Sequence, residues 1–145
     1  MERSQPAGVD VGLIDALAQT AYAVMAVLNR VGAEHDLSLT QLRVLGILRD
    51  RRLRMAMLAD HLGLERSTMT GLVDRAEKRG LLARAPSPAD GRAVEVFLTP
   101  GGAELVEPIY RRVAELLTPL VETLPAGERR QLRALLEGML GAGPA

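Results

Sequence analysis

The sequence predicts a mainly α-helical chain that carries one small β-hairpin. Several segments repeat apolar residues at i, i+3, i+4 and i+7, which is the spacing of one helical face, and one segment alternates apolar and polar residues as a strand does. Hydrophobic residues make up 48% of the 145 residues but aromatic residues only 2%, which favours aliphatic packing between helices. Because a chain of this size buries roughly 68–70% of its unfolded surface, we expect one domain over residues 1–145.

A long amino-terminal helix is the first predicted element, within residues 9–33. Its apolar residues keep helical spacing over roughly four turns; they are Leu13, Ile14, Leu17, Ala18, Ala21, Val24, Met25 and Leu28. A second helix is predicted to begin at Ser38, because Ser38 and Gln41 match the Ser-x-x-Gln pattern of a capping box. Gly46 lowers the intrinsic stability of that helix by about 1 kcal/mol relative to alanine, which close packing at this site would explain.

Two short helices joined by a tight turn follow. The first has Met55, Leu58, Ala59 and Leu62 at helical spacing, and the second has Met69, Leu72, Val73 and Ala76. Gly63 ends the first helix and Gly80 the second, at the position where a left-handed backbone terminates a helix. Helices joined by so short a turn cross steeply, which is typical of a helix-turn-helix that binds DNA.

The outward face of the second short helix carries small and cationic side chains. Small residues permit close approach to a major groove, hydroxyls bond base edges or phosphates, and arginine can read guanine with two hydrogen bonds. The predicted DNA-contacting residues on this helix are Arg66, Ser67, Thr68, Thr70, Gly71 and Arg75. An ordinary solvated helix face is the alternative, because polar outer faces are the norm for surface helices. Glu65, directly before the helix, is a poor N-cap.

A β-hairpin is predicted next, with strands at residues 82–85 and 93–98. The turn between them, residues 86–92, contains two prolines and ends in Asp-Gly-Arg, which is strong turn chemistry. Arg92 then lies beside the hairpin tip, from which a cation reaches the negative potential of a minor groove. Asp90 is predicted to brace this arginine or a nearby one; the alternative is that it serves the turn alone.

Two carboxy-terminal helices are predicted within residues 99–141. Pro108 and Pro119 lie inside the first of them, where each should kink or interrupt the helix. Apolar residues at helical spacing mark both helices; they are Leu105, Ile109, Val113, Leu116, Leu117, Leu120, Val121, Leu124, Leu132, Leu135, Leu136, Met139 and Leu140. Together with the first helix, these apolar faces are larger than one small lobe can cover.

Charge is distributed unevenly along the chain, although 18 basic residues balance 18 acidic ones. Between Gln41 and Arg92 there are 11 Lys and Arg against 6 Asp and Glu, so this segment carries +5 and the remainder −5. A basic middle between acidic ends is the electrostatic pattern of a domain that faces a nucleic-acid groove. The pattern indicates double-stranded DNA as a partner.

Several function classes are disfavoured. The absence of cysteine removes disulfides, thiolate catalysis and cysteine-based redox sensing. Without a Ser/His/Asp set, a P-loop or a His-Glu-x-x-His motif, we expect no enzyme activity and no cofactor. The candidate metal ligands are His35, Asp36, Asp60 and His61. Because isolated histidines are more often surface residues than ligands, we expect no metal.

Membrane association is also not expected. The stretch Met1–Pro6 lacks the apolar core of a signal peptide, and no run of 18 or more uncharged apolar residues follows it. These features predict a soluble cytoplasmic protein.

The run LGLERSTMTGLVDRAEKRGLLARAPSPADGRAVEVFLTPGG, residues 62–102, resembles the winged helix-turn-helix of the MarR (multiple antibiotic resistance regulator) family. Its Asp-Gly-Arg at residues 90–92 matches the Asp-x-Arg pattern of the family's wing, and residues 98–102 match the Leu-Thr-x-x-Gly start of its long fifth helix. Upstream, LSLTQLRVL at residues 37–45 resembles the opening of its second helix. The resemblance extends from about Ala16 to about Leu140 and keeps the family's order of elements.

The resemblance implies a winged helix-turn-helix lobe over residues 38–98, flanked by dimerisation helices at 9–33 and 99–141. It further implies a ligand-responsive homodimeric repressor that presents two recognition helices about 34–36 Å apart to a near-palindromic operator. Helices wrapped around a single monomeric core are the alternative. A winged-helix module that binds protein instead of specific DNA is the alternative for function.

A small-molecule effector is implied by the same resemblance. A small anion or apolar compound between the winged lobe and the dimer helices is the expected ligand, and a regulator with no ligand is the alternative. Candidate residues for such a cleft are Tyr22, Arg43 and Tyr110. The operator, the regulated genes and the choice between repression and activation leave no mark in the sequence.

Overall fold

A computed structural model describes residues 8–142 of the chain; the Met1–Pro6 stretch lies outside the described residues. This part of the chain forms six helices and one three-stranded sheet. In chain order the elements are α1 Val11–Glu34, α2 Leu39–Ile47, β1 Leu53–Arg54, α3 Met55–Leu62, α4 Arg66–Lys78, β2 Leu82–Pro86, β3 Val94–Leu98, α5 Pro100–Val121 and α6 Ala126–Ala142. The predicted fold class, mainly helical with a small β-hairpin wing, is confirmed.

The predicted helix boundaries follow from local hydrogen bonds. The Ser38 hydroxyl accepts from the Gln41 N–H at 3.1 Å and the Gln41 Oε1 accepts from the Ser38 N–H at 2.8 Å, which forms the capping box of α2. Gly63 after α3 has φ 64° and Gly80 after α4 has φ 74°, so both glycines take the left-handed conformation expected of them. The left-handed conformation of Gly63 therefore ends α3 and begins the tight turn to α4.

Helix α5 is continuous through both of its prolines, so of the two predicted effects, a kink or an interruption, the interruption is wrong. Its start is firmly capped, because the Thr99 hydroxyl accepts from the Gly102 N–H at 3.0 Å. Pro108 and Pro119 are exposed, whereas Val106 and Ile109 are buried in the core. Packing of these aliphatic side chains holds the helix together where each proline removes one backbone hydrogen bond.

The sheet has a strand that the sequence did not predict. β1 pairs antiparallel with β3, in the register Leu53 to Val96 and Arg54 to Glu95, and β3 pairs on its other edge with β2. The Arg52 guanidinium lies 3.9 Å from the centre of the Phe97 ring, which adds a cation–π contact to this short pairing. The strand connects the wing hairpin directly to the start of α3.

The core lies where α2, α3, α4, β3 and α5 meet the carboxy-terminal end of α1. Its largest fully buried side chains are Val31, Val44, Leu58, Met69, Val73, Val96, Val106 and Ile109. The rest of α1 and most of α6 lie outside this core and expose large apolar side chains. Those of α1 and α6 are Val11, Leu13, Ile14, Leu17, Leu135, Leu136, Met139 and Leu140. Large apolar side chains exposed at several positions along a helix are typical of an interaction site.

Helix α1 is also long and apolar enough to cross a membrane, by length and composition alone. The expectation of no such segment came from uninterrupted apolar runs, and α1 is interrupted by Asp15 as its one charge between Val11 and Asn29. In the fold, α1 packs against α5 and α2 instead of standing apart. Its carboxy-terminal half supplies the packed residues, whereas residues 11–23 are all exposed.

Candidate nucleic-acid interface

Helix α4 is held by one face and presents the other. Met69, Leu72, Val73 and Ala76 are all buried, as their spacing predicts. The N-cap residue Glu65 makes no side-chain hydrogen bond to the helix, which agrees with its poor capping chemistry. The first-turn N–H groups of α4 therefore have no side-chain cap, and such groups are available to an anion.

A cleft of about 710 Å³ lies between the start of α4 and the wing. Of the sequence-predicted residues, it brings together Arg66 and Thr70 from the helix and Asp90 and Arg92 from the wing tip. Arg54, which the sequence did not single out, also lines it from the end of β1. Within residues 8–142 the guanidinium groups of Arg54, Arg66 and Arg92 form no ion pair with a carboxylate, so the cleft carries uncompensated positive charge.

The remaining predicted contacts on α4 lie outside the cleft lining. Ser67, Thr68 and Arg75 are exposed on the helix, and Gly71 is half-buried. The Thr70 hydroxyl donates to the Arg66 carbonyl at 2.9 Å, within the helix. Since that proton is used, Thr70 offers an outside partner an acceptor oxygen and a methyl group.

Asp90 shapes the backbone of the wing tip. Its Oδ1 accepts from the Arg92 N–H at 3.1 Å, and its carbonyl accepts from the Ala93 N–H at 2.9 Å. Between residues 8 and 142 it forms no ion pair with an arginine, so the predicted brace acts on the main chain of Arg92 and not on its guanidinium. An aspartate that closes such a turn fixes where the next side chain starts.

Arg84 connects the wing to α4. From β2 its Nη2 lies 2.7 Å from Asp74 Oδ1, and its Nε donates to Glu77 Oε1 at 2.7 Å. The hydrogen bond to Glu77 is the main cause that raises the pKa of Arg84. Sequence reasoning missed this residue, because partners on a helix and a strand have no fixed spacing that a periodicity reveals. The ion pairs of Arg84 with Asp74 and Glu77 therefore join β2 to α4, the two elements on either side of the cleft.

A second cavity, of about 570 Å³, lies between α1, α2 and α5. Arg43 and Tyr110, two of the three predicted effector residues, line it, whereas Tyr22 lies outside it on α1 and is 71% exposed. Its walls are otherwise mostly apolar; they include Met25, Leu28, Leu42, Ile47, Ile109 and Val113. A Cβ on Gly46 would lie 2.8 Å from the Tyr110 hydroxyl, which confirms close packing at this glycine.

Tyr110 is held from the solvent side by an ion pair. The Arg49 guanidinium lies 4.1 Å from the centre of the Tyr110 ring, and its Nε donates to Glu107 Oε1 at 3.1 Å. The hydrogen bond from Arg49 lowers the pKa of the Glu107 carboxyl and raises the pKa of Arg49. This network orients the aromatic wall of the cavity. Arg43 and Arg51 are the cations of its lining; Arg43 is exposed, and its Nη2 donates to the His61 carbonyl at 3.4 Å.

The candidate metal ligands are not gathered into a site. Within the described part of the chain, no group of three or more His, Cys, Asp or Glu residues is placed to hold a metal ion. His35 and Asp36 lie at the end of α1, whereas Asp60 and His61 lie in α3.

The chain is similar to known proteins in sequence and in structure. A profile described as the MarR family matches residues 35–93. The Multiple antibiotic resistance protein MarR of Salmonella typhimurium is 32% identical over 115 residues, which span 78% of this chain and 80% of that protein. The uncharacterized HTH-type transcriptional regulator YfiV of Bacillus subtilis is 35% identical over 92 residues, and the match spans 58% of each chain.

Two solved structures extend the likeness to the whole fold. A mutant MarR from E. coli complexed with operator DNA superposes with a TM-score of 0.69 at 28% identity, over 90% of this chain and 94% of that one. BpsR of Bordetella bronchiseptica, whose DNA binding is described as regulated by 6-hydroxynicotinic acid, superposes with a TM-score of 0.71 at 27% identity. That match covers 97% of this chain and 100% of BpsR.

Proposed function

This chain belongs to the MarR family of DNA-binding transcriptional regulators, and we propose that it binds a near-palindromic operator as a homodimeric, ligand-responsive repressor. The observation that carries the proposal is the cleft between α4 and the wing, which gathers Arg54, Arg66 and Arg92 without carboxylate partners. Three such cations facing one opening suit a polyanion, because each can neutralise a phosphate and release its counterion. Since the partner is chromosomal DNA, the protein would act in the cytoplasm.

On DNA, α4 serves as the recognition helix and the wing as a second contact. Ser67, Thr68, Gly71 and Arg75 face the major groove in this proposal, with Arg54 and Arg66 on the flanking phosphates. Thr70 accepts a hydrogen bond from a base amino group or places its methyl against a thymine. Arg92 enters the adjacent minor groove, where negative potential is concentrated. Asp90 and Arg84 position the wing without touching DNA.

A second copy of the chain would cover the exposed apolar faces of α1 and α6. Leu13 of α1 is 62% exposed and Leu140 of α6 is 80% exposed. Two-fold pairing through such faces places the recognition helices about 34–36 Å apart, one for each half-site. The dimer thereby couples the symmetry of the protein to that of its operator.

The cavity between α1, α2 and α5 would receive the effector. Its volume of about 570 Å³ lies within the range of about 300–1,000 Å³ that small-molecule sites have. Apolar walls with Arg43 at one side and the Tyr110 hydroxyl at another suit a small, largely apolar anion. The related BpsR, whose DNA binding responds to a small hydroxylated pyridine carboxylate, supports the same class of ligand.

Selection of bound sequences from random duplex DNA tests the proposal. The purified protein should enrich a near-palindrome with half-sites one turn apart, and sedimentation should show a dimer on it. An Arg54→Ala, Arg66→Ala, Arg92→Ala triple variant removes one half-buried and two exposed cations, none of them ion-paired within the described residues. It should enrich no sequence while it keeps the wild-type unfolding transition. Failure of the wild-type protein to bind any duplex at low salt would overturn the proposal and favour a protein-binding winged helix.

A further inference from the structure

The carboxy-terminal end of the recognition helix is attached to the end of α1. Arg79, the residue directly after α4, donates from Nη1 to the Asp36 carbonyl at 2.8 Å and from Nη2 to the His35 carbonyl at 2.9 Å. Both carbonyls lie at the carboxy terminus of α1, where unpaired backbone oxygens and the helix dipole attract a cation. A planar guanidinium that makes two parallel hydrogen bonds fixes direction as well as distance.

The turn after α1, residues 35–37, whose carbonyls accept the hydrogen bonds from Arg79, is rigid. Asp36 has φ 54° and is the only non-glycine residue with positive φ within residues 8–142. The Leu37 N–H donates to the Gly32 carbonyl at 2.8 Å, and a Cβ on Gly32 would lie 2.6 Å from the Leu37 carbonyl oxygen. Since Leu37 is also buried, this turn has little room to move relative to α1. The hydrogen bonds of Arg79 to this turn therefore fix the end of α4 relative to α1.

The same end of α4 has a second attachment, to α5. The Thr99 hydroxyl donates to the Gly80 carbonyl at 2.5 Å, and the Thr99 N–H donates to the Leu81 carbonyl at 3.1 Å. The buried face and Arg84 hold the body of α4, and two attachments to different helices restrain the rotation of its carboxy-terminal end more than one would. Arg79 supplies the attachment to α1, and the end of α1 is itself tied to α5 by the ion pair of Arg112 Nε with Glu34 Oε2 at 3.6 Å.

We propose that Arg79 is a positioning residue that sets the orientation of each recognition helix relative to α1 and α5. This orientation in turn determines the half-site spacing at which the dimer binds DNA. This inference rests on the proposed function, because spacing has meaning only for a dimer on DNA. One base pair more or less moves a half-site by about 3.4 Å along the axis and about 35° around it. A recognition helix that is held firmly cannot follow the moved half-site, so the affinity falls. A loosely held helix can follow it, so the affinity changes less.

The test compares operators with the selected spacing and with one base pair added or removed. Arg79→Met keeps the length of the side chain and removes its donors, Arg79→Lys keeps the charge and removes the fork, and Lys78→Met is the neighbouring control. Affinity is measured for the three operators at several salt concentrations, and folding by urea unfolding of each dimer. In Arg79→Met the preference for the selected spacing should fall by about three- to tenfold, with an unchanged salt slope.

The other variants separate geometry from charge. Arg79→Lys should also lose part of the preference, since an ammonium group cannot bond both carbonyls in the same plane. Lys78→Met should keep the preference whatever it does to overall affinity. A preference that stays at the wild-type value in both Arg79 variants would overturn the inference. Equal losses at all three spacings with a shallower salt slope would also overturn it and make Arg79 a phosphate contact.

Folding and DNA binding are controlled separately. If Arg79→Met does not fold, the Arg79→Lys comparison decides the result on its own. A wild-type protein that binds DNA with no spacing preference contradicts the role of Arg79 alone, whereas a wild-type protein that binds no DNA contradicts the proposed function.

Discussion

Loss of the wing-tip arginine should weaken DNA binding in a way that depends on salt. Arg92 is exposed, and its side chain makes no hydrogen bond within the described residues, so Arg92→Ala removes a cation without disturbing a folded contact. The bond that shapes the tip, from the Arg92 N–H to Asp90 Oδ1 at 3.1 Å, involves only the backbone of residue 92 and survives the change. Any loss of affinity therefore reports on DNA and not on the shape of the wing.

The expected magnitude follows from counterion release. Each neutralised phosphate contributes about −0.9 to the slope of log affinity against log salt, so a dimer that loses two such contacts should have a slope shallower by about 1.8. Between 50 and 200 mM salt, this difference changes the ratio of wild-type to variant affinity by about tenfold. The loss should be the same for cognate and unrelated sequences if Arg92 reads potential and not base identity.

Fluorescence anisotropy of a labelled operator, titrated at five salt concentrations, measures both slopes. Arg111→Ala is the matched control, because it removes one exposed arginine per protomer on α5, away from the cleft. The control should keep the wild-type slope, which separates local contact from net charge. Equal slopes and equal affinities for Arg92→Ala and the wild-type protein would refute the assignment of this arginine to the groove.

Three further substitutions and one control test other parts of the structure. Gly71→Ala should raise the free energy of unfolding by about 0.5–1 kcal/mol, because a methyl there meets its nearest side chain only at ordinary contact distance. A loss of stability in urea unfolding would contradict this. Weaker operator binding by the same variant would show that DNA approaches the helix closely at this position. Gly102→Ala should cost about 1–3 kcal/mol, because its methyl would collide with the Leu81 carbonyl, whereas Gly138→Ala, with open space around it, should be neutral or stabilising in the same assay. Leu136→Glu should dissociate the dimer in sedimentation without unfolding the protomer, and an unchanged dimer would exclude α6 from the interface.

Features that depend on neighbouring residues were predictable from the sequence. The capping box of α2 involves residues three apart, and the left-handed ends at Gly63 and Gly80 depend on one residue each. Helical spacing likewise identified the buried face of α4 correctly. Each of these features needs no knowledge of which elements meet in space.

Features that depend on distant pairing were missed. β1 has only two residues, and it exists because Leu53 meets Val96 more than 40 residues later. The interruption of α5 was predicted from the intrinsic effect of proline, but packing of buried side chains such as Val106 outweighed it. Arg43 and Tyr110 line the same second cavity although 67 residues separate them, while Tyr22 lies elsewhere. Intrinsic propensity and sequence spacing do not indicate which residues distant in the chain come together in the fold.

The basic middle of the chain has two kinds of arginine, which a charge count does not separate. Arg84 is held by two carboxylates and Arg79 by two backbone carbonyls, so their charges serve the attachment of α4 to the wing and to α1. Arg66 and Arg92 have no such partners and face the cleft. In the proposed complex, the net charge of +5 between Gln41 and Arg92 thus combines cations that would bind DNA with cations that hold the binding surface in place. Both would be needed, since the free cations would supply affinity for phosphates while the held ones would set the half-site spacing at which that affinity is realised.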